Sequence, residues 1–280
     1  MSARILDGRA VAAAILAEAR AAARRRVRAP RLAIVAAAGD AAGSYLKAKL
    51  SACRTAGVEV SVHRLTAGPR PKTLGLLADL AGDASVDALI VETPYPRGLT
   101  AADVSAAIPP AKDAEGVTAE IYGRFFLAKS WDEAAGIAGP CTAVALARLA
   151  LAAKVPLAGR RAVVIGRSAT VGRPAAHLLT TLDLTVTLAH SRTKNLPALC
   201  READVLVVAA GTPGLVKPSW IKRGALVLDA GVHLVRGNLV GDVAPGAAKR
   251  AGVLTPVPGG VGPVTTAVAV LQAALLAERR

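Results

Sequence analysis

The chain has 280 residues, 53% of them apolar, 2% aromatic, and a formal net charge of +15. That is material for about two globular domains. So few rings give no stacking platform for single-stranded nucleic acid, and no basic run reads as a nucleic-acid arm. The positive charge has two readings, an even scatter of solvating arginines or attraction of a polyanionic ligand such as a phosphorylated cofactor.

From the N-terminus, "MSARILDGRAVAAAILAEAR" places Asp7 and Arg9 early and lacks a clean apolar core, so it does not read as a secretion signal. The pattern predicts a helix over 9–26, with "RRR" at 24–26 suited to the negative end of its dipole. A strand is predicted at 31–39, then a helix over 45–57 in "SYLKAKLSACRTAG". On that helix Leu46, Leu50 and Cys53 share the core-facing side, while Tyr45 and Lys49, four residues apart, lie on the adjoining edge. Spacing alone leaves two readings for Lys49, a snorkelling rim residue or a lysine placed for chemistry, and favours the first.

Further apolar runs at 58–65, 86–94, 160–166, 184–190, 203–211 and 224–231 alternate with helical stretches such as 142–154 and 172–181. Strands this apolar imply parallel sheets covered on both faces, hence an α/β fold. Breaks at "IAGPCT" and "PVPGGVGP" predict a first domain of 1–139 and 264–280, closed by the C-terminal helix, around an inserted Rossmann-like cofactor domain of 140–263. No span reaches eighteen uninterrupted apolar residues, and the three cysteines, Cys53, Cys141 and Cys200, read as reduced thiols. A cytoplasmic protein without membrane attachment is expected. The four histidines show no ligand spacing, so no metal site is expected.

The run "RAVVIG" leads directly into "RSATVGRPAAHLL", a strand, turn and helix whose N-terminus offers free N–H groups to a pyrophosphate. Gly166 ends the strand, Gly172 opens the helix, and Arg167 and Ser168 fill the turn. At the end of the next strand an acidic residue would grip the ribose of NAD. Here Ser191, Arg192 and Lys194 stand instead, which favours the 2′-phosphate of NADP, with Arg167 able to close on the same group.

In order along the chain, "ILDGRAVA", "SYL…K", "KDAEG", "PCT", "GRSATVGRP", "HSRTKNL" and "TPVPGGVGPVT" together resemble the bifunctional methylenetetrahydrofolate dehydrogenase/methenyltetrahydrofolate cyclohydrolase (FolD) family over nearly the whole chain. The resemblance implies a two-domain α/β protein with a cleft between the domains, paired as a homodimer. It implies oxidation of 5,10-methylenetetrahydrofolate by NADP+ and hydrolysis of the methenyl product to 10-formyltetrahydrofolate. By the same resemblance Lys49 is the catalytic lysine and Tyr45 stacks on the substrate's aminobenzoate ring. Pro258 and Gly259 line the folate site. Gly166, Arg167, Ser168 and Ser191 contact NADP with Arg192 as helper, and Val232 meets the nicotinamide.

Two positions depart from the family's pattern, Glu92 in "VETPYP" for a glutamine and Glu115 in "KDAEG" for an aspartate. A carboxylate at 92 favours a charged Lys49 and so a poorer general base, unless Glu92 itself takes the proton. Cyclohydrolase activity is therefore expected to be weakened. Two alternatives stay open: a specialised relative, dehydrogenase only or acting on another one-carbon adduct, and a non-catalytic NADP-binding module.

Overall fold

The structure is a computed structural model that describes residues 2–38, 43–65, 70–96 and 98–279, the side chains of residues 43–45 excepted. The elements begin with β1 (Arg4–Ile5), α1 (Gly8–Arg24), β2 (Arg31–Ala37), α2 (Gly43–Ala56), β3 (Glu59–Leu65), α3 (Arg70–Gly82) and β4 (Ala88–Val91). There follow α4 (Ala101–Ala107), α5 (Ala119–Leu127), α6 (Trp131–Ala135), α7 (Cys141–Ala152), β5 (Arg161–Ile165), α8 (Gly172–Thr181), β6 (Thr185–Ala189) and α9 (Leu196–Glu202). The chain finishes with β7 (Val205–Val208), β8 (Leu226–Asp229), β9 (His233–Val235), β10 (Asn238–Val240), β11 (Val253–Leu254) and α10 (Val261–Glu278).

Two compact units result. The first comprises 13–127, 136–141 and 266–280; the second comprises 1–12, 128–135 and 142–265. The first is built on a three-stranded parallel sheet in the order β3-β2-β4. Strand β4 is buried along its length and the central strand from residue 32 to 36, because "LAIVA" and "ALIV" offer apolar side chains to both faces. Leu77 and Leu80 from α3 and Val104 from α4 pack against Val35, Leu89 and Val91 of the sheet. Apolar side chains of this size contribute about 1.5–3 kcal/mol each when fully buried.

The second unit carries a six-stranded sheet in the order β1-β11-β8-β7-β5-β6, every pairing parallel. Strand β5 lies between β6 and β7, so the chain turns one way after β5 and the other way after β6. That reversal opens a crevice at the carboxyl ends of the strands, where open α/β sheets bind their ligands. A separate hairpin pairs β9 with β10. Its turn, Arg236–Gly237, has positive φ at both residues (50° and 79°), the geometry that matches strand twist in a tight hairpin.

Helix α10 is long and apolar enough to span a bilayer by length and composition, yet 72% of it is buried inside the protein. It is therefore a core helix, and its all-round apolarity is what such burial requires.

Candidate functional site

The functional side chains fall into two groups, one in each unit. In the first unit α2 carries Lys49, and the loop after β4 carries Glu92. The predicted surface role of Lys49 is corrected by its burial: only 4% of the residue is exposed. Its Nζ donates to Glu92 Oε1 at 2.5 Å and to Glu115 Oε1 at 3.3 Å. An ammonium without partners would not survive there, and two carboxylates from distant segments supply them.

Burial pushes Lys49 toward its neutral form, but Glu115 and then Glu92 outweigh it and hold its pKa above the ordinary lysine value. Lys49 is thus a firmly charged donor. The Glu115 carboxyl is shifted the other way from a usual salt-bridge partner: burial raises its pKa, Lys49 opposes the rise and Glu92 adds to it. Its side chain keeps 25% exposure, against 9% for Glu92, so Glu115 is the carboxylate that faces outward.

Glu115 is aimed by its neighbour. Asp113 is wholly buried, and its Oδ1 accepts N–H bonds from Glu115 and Gly116 while Oδ2 accepts from Val117 and Thr118, at 2.8–3.2 Å. The loop is wound on this one side chain, as buried carboxylates demand. Burial still raises the Asp113 pKa, with the loop N–H groups opposing the shift. Lys112, 1% exposed, donates to the carbonyls of Leu80 and Asp83 at the end of α3. Within "KDAEG", then, the lysine and first acid build the loop and the second acid is presented.

Cys141, at the start of α7, donates its thiol to Ala114 O, and burial drives its pKa well above the ordinary thiol range. Cys53, in α2, is pushed up to about 12 by burial against a small opposing pull from Lys49. Both thiols are therefore inert at neutral pH. Half-buried Tyr95, overlooked in the sequence, has its phenol pKa raised by burial and then by Glu115 and Asp113; nothing in its spacing marks it. The side chain of Tyr45 lies outside the described residues.

In the second unit, Gly166 follows β5 with φ +120°, and a Cβ there would sit 2.1 Å from Ala209 O. Only glycine lets the chain turn this close to the end of β7. Ile165 pairs with Ala189, so the turn 166–168 and the turn 190–192 leave neighbouring strands side by side. Ser168 Oγ accepts from Val171 N and Gly172 N, tying the turn to the α8 N-terminus. Arg167, Ser191, Arg192 and Lys194 lie at this end of the sheet, and no carboxylate stands among them. The amides of Gly172 and Arg173 are taken by Ser168 and residue 174 is proline, so the positive end of the α8 dipole and these guanidinium groups are what suit a pyrophosphate and a further phosphate.

Val232, 44% exposed, follows β8 on a loop fixed by two buried acids. Asp229 accepts from the amides of Gly231, Asp242 and Val243, and Asp242 accepts from Ala210 and Gly211 while pairing with His233 Nε2 at 2.7 Å. Sequence reasoning missed this network, whose partners are mostly backbone groups. Gly259 is buried, with its carbonyl accepting from Gly8 N, and Pro258 is exposed beside it.

A sequence model of the tetrahydrofolate dehydrogenase/cyclohydrolase catalytic domain matches residues 6–115, and one of the family's NAD(P)-binding domain matches 140–280. The "Bifunctional protein FolD" of Parafrankia sp. is 44% identical, over 94% of this chain and 95% of its own. That of Acidiphilium cryptum is 43% identical, over 95% of each chain. Among solved structures, the bifunctional FolD enzyme of Campylobacter jejuni superposes with a TM-score of 0.91 at 32% identity over both whole chains. The Trypanosoma brucei enzyme, complexed with NADP cofactor and inhibitor, gives 0.91 at 33% identity, covering 100% of this chain and 98% of that one.

Proposed function

Since the chain belongs to the tetrahydrofolate dehydrogenase/cyclohydrolase family, we propose that it oxidises 5,10-methylenetetrahydrofolate with NADP+ and hydrolyses the methenyl product to 10-formyltetrahydrofolate. The observation that carries this reading is the buried Lys49, held between Glu92 and Glu115. A charged lysine beside an outward-facing carboxylate suits recognition of a ring bearing both donors and acceptors.

Glu115 accepts the N–H pair of the pterin and so fixes the ring's register. Lys49 donates toward the one-carbon bridge, and Tyr45 stacks on the aminobenzoate ring. Pro258 and Gly259 line the folate site. NADP+ supplies the hydride acceptor. In its own domain the Gly166 turn and the positive end of the α8 dipole receive the pyrophosphate, Ser168 holds that turn, and Arg167, Ser191 and Arg192 take the 2′-phosphate. Val232 presents its backbone to the nicotinamide. The protein's contribution is approach and charge placement.

Hydrolysis needs a base for the attacking water, and Lys49, kept protonated by its two acids, is a poor one. The cyclohydrolase step is accordingly the slower of the two. That pairing also favours a second reading, a dehydrogenase without useful hydrolysis. Residues 1–139 and 264–280 form the folate domain in this account, and 140–263 the nucleotide domain.

The working unit is a homodimer: Leu234, Val235 and Leu239 stand exposed on the β9–β10 hairpin, an apolar patch suited to a second copy. Three free, buried cysteines suit the reducing cytoplasm.

One assay tests the core of the proposal. Purified protein with methylenetetrahydrofolate should reduce NADP+ in preference to NAD+, and the methenyl product should accumulate before it decays. No cofactor reduction with either nucleotide would refute it.

A further inference from the structure

Around Lys49 the charges do not balance. Its one ammonium meets two carboxylates, Glu92 at 2.5 Å and Glu115 at 3.3 Å, so with all three ionised the triad carries one surplus negative charge. Asp113 cannot offset this, being an acid itself with its oxygens already occupied by backbone N–H groups. Among the described residues no other cation is paired with Glu92 or Glu115. An uncharged amide at position 92 would leave the triad neutral.

The chemistry proposed above changes the charge of the ligand. In the methylene adduct the N5–C–N10 bridge is neutral. When a bridge C–H bond breaks and its electron pair departs to NADP+, a nitrogen lone pair forms the C=N bond and the bridge becomes cationic. Addition of water, with loss of a proton, makes it neutral again. A fixed anion in a site screened from water acts strongly on such a difference.

We propose that Glu92 is a specificity-determining residue that makes this site prefer the cationic methenyl adduct over neutral one-carbon adducts of the same pterin. The inference rests on the folate reading and deepens it. It assigns one side chain opposite effects on the two steps: Glu92 favours oxidation, which creates the cation, and restrains hydrolysis, which destroys it. Glu115 sharpens the effect. The groups facing it are Lys49 from α2, Glu92 after β4, Tyr95 beyond it, Asp113 in its own loop and Cys141 from α7. Burial raises its pKa, so as the pH falls Glu115 takes up a proton sooner than an ordinary glutamate, which reduces the surplus charge, and a bound cation expels that proton. Preference for the cation therefore rises with pH.

The test is stopped-flow binding, read before turnover, of 5,10-methenyltetrahydrofolate and of 5-formyltetrahydrofolate, an open adduct whose N5 and N10 are both uncharged. The full chain should bind the cation about tenfold more tightly, and Glu92→Gln should abolish that ratio, a change of about 1.4 kcal/mol. Glu92→Asp, which keeps the charge, should retain it. Raising the pH through the ionisation of Glu115 should increase the ratio for the unaltered chain; this arm stands even if Glu92→Gln fails to fold. Equal weakening of both ligands in Glu92→Gln, or a flat ratio across pH, overturns charge selection while leaving the folate reading intact. Binding of neither ligand to the unaltered chain overturns both.

Discussion

Replacing Lys49 by methionine removes the ammonium and keeps a stem of similar length. The two acids it satisfies cannot follow it: Glu92 is 7% exposed, and the outward Glu115 side chain only 25%. Removing one partner of a buried ion pair typically costs about 3–5 kcal/mol, because the other is left charged and unpaired. For a domain stable by about 5–15 kcal/mol that is a large fraction. The cost has a pH signature. Burial already raises the Glu115 pKa and Lys49 opposes that rise, so without Lys49 the Glu115 carboxyl stands still further above its unfolded-chain value, and stability is retained at low pH and lost as pH rises through that raised value. Urea unfolding followed by circular dichroism should give a deficit of about 3–5 kcal/mol at pH 8 that narrows as the pH is lowered. A deficit below about 1 kcal/mol that does not change with pH would refute the account of Lys49 as the counterion of a buried acid pair.

In the nucleotide domain, Arg192→Ala should raise the KM for NADP+ about tenfold or more while leaving that for NAD+ unchanged, because only the former carries the group a guanidinium would grip; equal losses for both nucleotides would reassign Arg192 to the turn. Gly116→Ala combines a positive φ (65°) with a Cβ placed 2.3 Å from the Gly139 carbonyl carbon. It should cost about 2 kcal/mol or more and lower the melting temperature by several degrees, and an unchanged melting curve would contradict the packing described. Leu239→Glu on the β9–β10 hairpin should convert a dimer into monomers in sedimentation velocity, whereas an undisturbed dimer would place the interface elsewhere.

Much of this architecture was legible because local and global signals agree. The apolar run of β5, the Gly166 turn and the helix from Gly172 stand where a βα unit was predicted, since apolarity, glycine and helix periodicity all speak within twenty residues. Lys49 was misjudged from spacing alone for the opposite reason. Helical periodicity places it on a rim, and what buries it are acids 43 and 66 residues further along. Only the resemblance raised it to a functional residue. The Asp229–Asp242–His233 network was invisible because most of its partners are amides, which every residue possesses. Strands β1 and β11 are two residues long, too short to show an alternation. The β9–β10 hairpin did leave a trace in Arg236–Gly237 between "HLV" and "NLV", and it passed unread beside stronger patterns.

The winding of residues 113–118 around one aspartate separates scaffold from recognition. Because the backbone bonds that shape the loop converge on Asp113, the side chain two places on can be exchanged without dismantling its mount. Position 115 is therefore where altered ligand preference can be sought by substitution, and a loss of binding there reports on the contacts of that side chain, with the ligand and with Lys49, not on collapse of the loop. The same replacement at 113 would confound the two.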